Sequence, residues 1–176
     1  MIFRELDVRG AFAIDVEAHE DERGLFARTW SIEEISEQEL EHPIVQCSTS
    51  FNRHRGTLRG MHYQVKPFEE GKYVRCTRGA IYDVVVDLRS DSPTYRQWDA
   101  RELTAGNRRT LYVPPGCAHG FLTLEGNSEV YYQITAPYSS EHARGVRWND
   151  PAFGISWPIK VQHIKKRDQH YPDFKQ

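Results

Sequence analysis

Lys72-Tyr73-Val74-Arg75-Cys76-Thr77-Arg78-Gly79-Ala80-Ile81-Tyr82-Asp83-Val84-Val85-Val86-Asp87-Leu88 reads as two extended segments around one tight turn. Arg78-Gly79 has the composition of a hairpin turn, because glycine accepts the left-handed backbone that short turns need. The arms are expected at Lys72–Thr77 and Ala80–Leu88. In the second arm Tyr82, Val84, Val86 and Leu88 alternate with Ile81, Asp83, Val85 and Asp87, the period of two that marks a strand.

The same texture continues outward. Arg109–Val113, His119–Leu124 and Glu129–Thr135 read as further short strands, punctuated by Pro114-Pro115-Gly116 and Gly126-Asn127. One convincing helix is expected at Ser31–Leu40, with Ser31 as its cap, Glu34 completing a capping box, and Ile32, Ile35 and Leu40 as its apolar positions. Strands this short and this regularly spaced predict an all-β chain, a closed barrel or jelly roll with a few short helices. No repeat or linker divides it, so residues 1–176 are expected to form one domain. From Tyr138 onward no period is evident; that segment is expected to wrap the barrel, with Trp148 and Trp157 as packing anchors.

Bulk properties narrow the function classes. The formal net charge of the 176 residues is −2, so no global basic field favours nucleic acid or an anionic membrane, and anion binding must come from locally placed arginines and lysines. Cys47, Cys76 and Cys117 have no metal-type spacing and are expected to be free thiols in a reducing compartment. The opening MIFRELDVRG reaches charge within four residues, and no apolar run approaches the roughly 20 residues of a membrane span. No signal peptide is expected, and a cytoplasmic location is.

Pro114-Pro115-Gly116-Cys117-Ala118-His119 resembles the second cupin motif, which presents a histidine inside a small barrel. The first such motif carries H-x-H and a glutamate; here His62-Tyr63-Gln64 replaces one imidazole with an amide, and Glu69 lies beyond it. Two histidines and one carboxylate make a poor transition-metal site, so neither metal nor other cofactor is expected. The densest polar segments are Gly56–Gln64 and Gly71–Arg75. A histidine there is a proton carrier suited to neutral pH, an arginine can clamp phosphate, and a lysine adds a point charge. Taken singly, each is as readily a packed histidine or a solvated cation. Strict alternation sends Arg59 and His62 to opposite faces; either Gly60 permits a bulge that re-aims one, or one of them points elsewhere.

Longer words are more specific. Asp21–Phe26, Thr57–Gln64, Gly71–Arg75, Asp83–Arg89 with Ser92-Pro93-Thr94, Val113–Phe121, Trp148–Pro151 and Ile155–Pro158 together resemble the dTDP-4-dehydrorhamnose 3,5-epimerase family over nearly the whole chain. The resemblance implies an RmlC-like cupin jelly-roll barrel and a metal-free enzyme that inverts C3, C5 or both in a nucleotide-linked 4-keto-6-deoxyhexose. It implies His62 as base and Tyr132 as acid on the opposite ring face, where Tyr131 and Tyr138 are the competing tyrosines. It places Lys72, helped by His119, at the C4 oxygen, and Asp168 behind His62. Arg23 and Arg59 are the expected diphosphate ligands. Phe26, Arg28, Gln46, Ser48 and Tyr138 complete the substrate-binding set.

Two positions depart from the family pattern. Arg28 stands where thymidine-specific members commonly carry glutamate, and Gln46-Cys47-Ser48 stands where they tend to have Q-x-N. A guanidinium cannot accept the N3–H of thymine but suits cytosine, so a CDP-sugar is a second reading behind the dTDP-sugar. A homodimer with exchanged N-terminal strands is implied as well. The rivals from other classes are a metal-dependent cupin enzyme and a non-catalytic sugar-nucleotide-binding barrel.

Overall fold

The structure is a computed structural model that describes residues 1–40 and 43–175. Its elements in chain order are β1 (Ile2–Glu5), β2 (Phe12–Asp15), β3 (Ala18–Asp21), β4 (Gly24–Ala27), α1 (Ile32–Glu37), β5 (Gln46–Asn52), β6 (Thr57–Gln64), β7 (Lys72–Arg78), β8 (Ala80–Asp87), β9 (Trp98–Thr104), β10 (Thr110–Val113), β11 (Cys117–Thr123), β12 (Ser128–Ile134), β13 (Ala143–Gly145), β14 (His163–Ile164) and α2 (Lys166–Gln169). One sheet runs β1-β2-β10-β7-β12-β5 and a second β13-β6-β11-β8-β9, with β14 added parallel to β6; β3 and β4 pair only with each other. The fold is therefore predominantly β with two cupin-like sheets. Among the described residues no ladder joins them into a closed barrel.

The turn at Arg78-Gly79 is real but makes no hairpin. β7 pairs with β10 and β12, whereas β8 pairs with β11 and β9, so this turn carries the chain from one sheet to the other. Ser128 captures it: its hydroxyl donates to the Ala80 carbonyl at 3.2 Å and accepts from the Ala80 amide at 3.3 Å. Gly79 has φ +74°, and a Cβ there would meet Ser128 Oγ at 2.5 Å. Pro114–Gly116 and Gly126-Asn127 likewise lead from one sheet into the other. Alternation identifies each strand but not its partner.

The sheets face each other across one core. Val74, Cys76, Leu111, Val113 and Val130 from the first meet Ile81, Val85, Leu103, Cys117 and Phe121 from the second. The other face of the second sheet is covered too: Met61, Val84, Val86 and Ala118 pack with Val146, Phe153, Trp157 and Phe174 of the C-terminal segment. Trp157 donates its indole N–H to the Trp148 carbonyl at 3.0 Å. Burial on both faces is why Val84-Val85-Val86 is continuously apolar. At the end of β8 the buried Asp87 accepts from the Arg89 side chain at 2.8 Å, from Ser92 at 2.5 Å and from Thr94 at 2.6 Å. Burial works against its ionisation, but these donors outweigh burial and hold its carboxyl at about 2.

Helix α1 is shorter than the Ser31–Leu40 expected, and the capping box does not form. Ser31 is the N-cap residue but makes no side-chain cap hydrogen bond. Glu34 turns instead to the Met1 ammonium at 2.5 Å and the Arg28 guanidinium at 3.1 Å, since two cations outcompete one backbone amide. The three cysteines are free, and no described helix is long and apolar enough to cross a membrane.

Candidate active site

One cavity of about 700 Å³ opens between the two sheets and is closed on one side by the segment around β14 and α2. Strand β6 supplies both Arg59 and His62 to it, which requires a break in alternation. The ladder shows that break: His62 lies opposite His119 and Arg59 opposite Phe121, so three steps on β6 match two on β11. The added residue is a bulge at Gly60, whose φ is +138° and whose missing side chain leaves room for Gly120 Cα, 2.5 Å from where a Cβ would lie. Of the alternatives open in the sequence, the structure takes the bulge.

Two histidine–carboxylate pairs lie side by side. His62 Nε2 is 2.9 Å from Asp168 Oδ1, and His119 Nε2 is 2.8 Å from Asp83 Oδ1. Donation of Nε2–H to the Asp168 carboxylate leaves the lone pair on Nδ1 of His62; Arg167 Nη2, 3.2 Å from the same Nε2, is a donor only and competes with that tautomer. Burial opposes ionisation of Asp168, but bonding from His62 and from Arg167 Nε at 3.1 Å overrides it, and its carboxyl titrates below the ordinary range. Asp83 is fully buried; desolvation pushes its carboxyl up, offset only in part by His119 and Lys72. Its Oδ2 has no hydrogen-bond partner.

Tyr132 enters from the other sheet, on β12, with its ring edge-on to His119 at 6.1 Å between centroids. Burial and the nearby Asp83 carboxylate raise its phenol well above the usual range, so it stays protonated as a donor. Lys72, on β7, donates to the His62 carbonyl at 3.3 Å and pairs with Glu70 at 2.9 Å. Arg59 is steadied by Nε–H donation to Asn52 Oδ1 at 2.7 Å. Gln46, Ser48 and Tyr138 line the same space.

Nine of the residues singled out in the sequence thus meet in one cavity: His62, Tyr132, Asp168, Lys72, His119, Arg59, Gln46, Ser48 and Tyr138. Arg23, Phe26 and Arg28 do not. Arg23 lies on the turn of the β3–β4 hairpin, bonded to Asp21, and Phe26 projects from β4 with 76% of its surface exposed. Arg28 follows that strand and is bound to Glu34.

Sequence reasoning missed Glu70, Phe121, His163, Lys165 and Arg167, all of which line the cavity. Glu70, and not the Glu69 that lies beyond the first cupin-like motif, lines the cavity. Gln64, at the position of the replaced imidazole, is fully engaged: its Oε1 accepts from the Ser139 amide at 2.6 Å, and its two Nε2 hydrogens are shared among Phe68 O, Glu70 and Pro137 O. Among the described residues no three of His, Cys, Asp and Glu gather as metal ligands.

Comparison with known proteins identifies the family. Residues 5–176 match the family described as dTDP-4-dehydrorhamnose 3,5-epimerase. The chain belongs to the dTDP-4-dehydrorhamnose 3,5-epimerase family. A 3,5-epimerase of Sinorhizobium fredii is 41% identical over 175 residues, 99% of this chain and 90% of that one. The crystal structure of the 3,5-epimerase from Bacillus anthracis, with TDP and PPi bound, superposes with a TM-score of 0.94 at 36% identity, covering 98% of this chain and 99% of that one. The 3'-monoepimerase ChmJ from Streptomyces bikiniensis, in complex with dTDP-quinovose, superposes with a TM-score of 0.86 at 32% identity, over 96% and 85% of the two chains. As a member of the 3,5-epimerase family this protein is an isomerase of nucleotide sugars.

Proposed function

We propose that the protein inverts C3 and C5 of dTDP-4-keto-6-deoxyglucose, giving dTDP-4-keto-rhamnose, by proton transfer through an enolate. The observation that carries this reading is the placement of His62 and Tyr132 on opposing sheets around one cavity. A carbon beside a ketone loses its proton because the electron pair spreads onto oxygen; inversion then needs a base on one face and an acid on the other. His62 Nδ1 takes the proton, Asp168 stabilises the imidazolium, and the C–H electron pair moves into the enolate. The Lys72 ammonium, with His119 beside it, stabilises the C4 oxygen. Tyr132 returns a proton to the opposite face, and solvent resets both groups.

Arg59 is oriented to take the diphosphate, with Arg167 and Lys165 adding positive charge at the cavity. Gln46, Ser48 and Tyr138 are read as ligands of the sugar–nucleotide. Phe26 and Leu25 are exposed on a hairpin that pairs with neither main sheet, which supports its docking on a second copy of the chain. Arg23, Phe26 and Arg28 then serve the neighbour's cavity in a homodimer, and the two sheets form a jelly-roll barrel within one domain. The TDP and the dTDP-quinovose bound by the relatives support the dTDP-sugar as the reading.

The test is incubation of EDTA-treated protein in D2O with the dTDP-sugar and its CDP counterpart, followed by NMR. Deuterium at C3 and C5 of the dTDP-sugar, abolished in His62→Ala, is expected. Uptake at one carbon makes the protein a monoepimerase; faster uptake by the CDP-sugar reverses the nucleotide. Absence of uptake until metal is restored overturns the mechanism.

A further inference from the structure

Lys72 opens β7, and Glu70 lies two residues before it in the segment that leads into the strand. Lys72 Nζ lies 2.9 Å from Glu70 Oε1, and each side chain is only 9% exposed. The other Glu70 oxygen accepts from Gln64 Nε2 at 3.0 Å. Gln64 also holds the Pro137 carbonyl at 3.1 Å and the Ser139 amide at 2.6 Å, the two neighbours of the cavity residue Tyr138. An ion pair this deep adds little stability, because desolvation of both charges offsets their attraction. Its use lies in where it puts the ammonium.

Lys72 has a flexible four-carbon stem and a point charge with no directional fork. Besides Glu70 and the His62 carbonyl, a further acceptor lies within electrostatic reach of it: the fully buried Asp83 on β8, whose Oδ2 lacks a partner. A Lys72 released toward Asp83 would leave the ketone without its cation and disturb the Asp83–His119 pair.

We propose that Glu70 is a positioning residue that holds the Lys72 ammonium at the enolate oxygen and away from Asp83. The inference rests on the reading of Lys72 given above. Gln64 links the same carboxylate to the segment carrying Tyr138, so one acidic side chain aligns the cation within the cavity and the residue at its mouth.

Turnover and deuterium uptake by wild type, Glu70→Ala, Glu70→Gln and Glu70→Asp distinguish the outcomes, with Glu70→Ala repeated in a Lys72→Met background. Expected is a kcat loss of about 10–100-fold in Glu70→Ala with KM changed less than about threefold, since the lost interaction acts in the transition state. Glu70→Gln, which keeps an acceptor for Lys72, recovers most of it. Glu70→Asp keeps the charge but withdraws it by one methylene; it is intermediate, and it answers the question if the alanine variant does not fold. In Lys72→Met the Glu70→Ala penalty disappears. A glutamine variant as slow as alanine, a loss confined to KM, or a penalty undiminished in Lys72→Met overturns the proposal. Wild type that takes up no deuterium overturns the epimerase reading as well; active wild type with an indifferent Glu70 overturns this inference alone.

Discussion

Arg59 and His62, three residues apart on β6, face the same cavity because the strand bulges at Gly60 between them. An unbroken strand would aim one of them at the opposite face of the sheet, separating the phosphate clamp from the base. The bulge brings a guanidinium and an imidazole within reach of one ligand, and it depends on a residue with no side chain.

Gly60→Ala tests that dependence. Its Cβ would lie 2.5 Å from Gly120 Cα and 3.0 Å from the His119 carbonyl, at a backbone φ of +138° that L-residues resist. The expected cost is about 2–4 kcal/mol of stability, from overpacking together with backbone strain. Thermal or urea unfolding measures it, and activity lost beyond the unfolded fraction reports the displacement of His62.

Much of this fold was legible in the sequence because a strand's period of two survives any choice of partner. Ala80–Asp87, Thr110–Val113 and Ser128–Ile134 all lie in strands. Pairing was not legible. Arg78-Gly79 has hairpin chemistry yet joins two sheets, because the decision belongs to Ser128, almost fifty residues downstream. Seven of the nine recognised cavity residues lie in strands, and the other two, Tyr138 and Asp168, were reached through the family resemblance; of those missed, His163, Lys165 and Arg167 come from a segment without periodicity, while Glu70 precedes β7 and Phe121 lies on β11. The capping box at Ser31 failed because the competitor for Glu34 is the chain's own first residue, thirty-three positions away.

Tyr132→Phe removes one oxygen and leaves the ring packed. The expected outcome is a split: deuterium still enters where His62 works, while inversion falls by roughly 10²–10⁴-fold, the range for loss of a general acid. NMR of substrate and product in D2O reads both rates. Burial keeps the wild-type phenol protonated through the alkaline range, so kcat should not fall from its ionisation at pH 9.

Asp168→Asn keeps a polar group near His62 but cannot stabilise an imidazolium, and its amide can favour the wrong tautomer. kcat is expected to fall by roughly 10²–10⁴-fold with a small change in KM. The native carboxyl is depressed, so its stabilising effect is present above the ordinary carboxylate range and fades as pH falls through the lowered value. The pH dependence of stability on the acid side should flatten in the variant.

Asp87→Asn probes the same linkage away from the cavity. The carboxyl of Asp87 sits at about 2 against an ordinary value of 3.8. Stability from its ionised form is therefore complete above pH 4 and is lost as pH drops through 2. Allowing for solvent screening, the contribution is about 1–2 kcal/mol at neutral pH. Unfolding midpoints of wild type and variant should converge between pH 4 and pH 2; parallel curves would remove Asp87 as the source.

The amide of Gln64 makes one transition in this fold hard to reverse. It satisfies the Ser139 amide, the Phe68 and Pro137 carbonyls and the Glu70 carboxylate from a single side chain. An imidazole has two ring nitrogens and cannot replace an acceptor and two N–H donors at once. Histidine introduced at 64 would therefore strand the loop that carries Tyr138 before it could serve any new ligand. An engineer seeking to graft metal chemistry onto this scaffold would have to rebuild residues 137–139 first, and only then change the side chain that the motif invites.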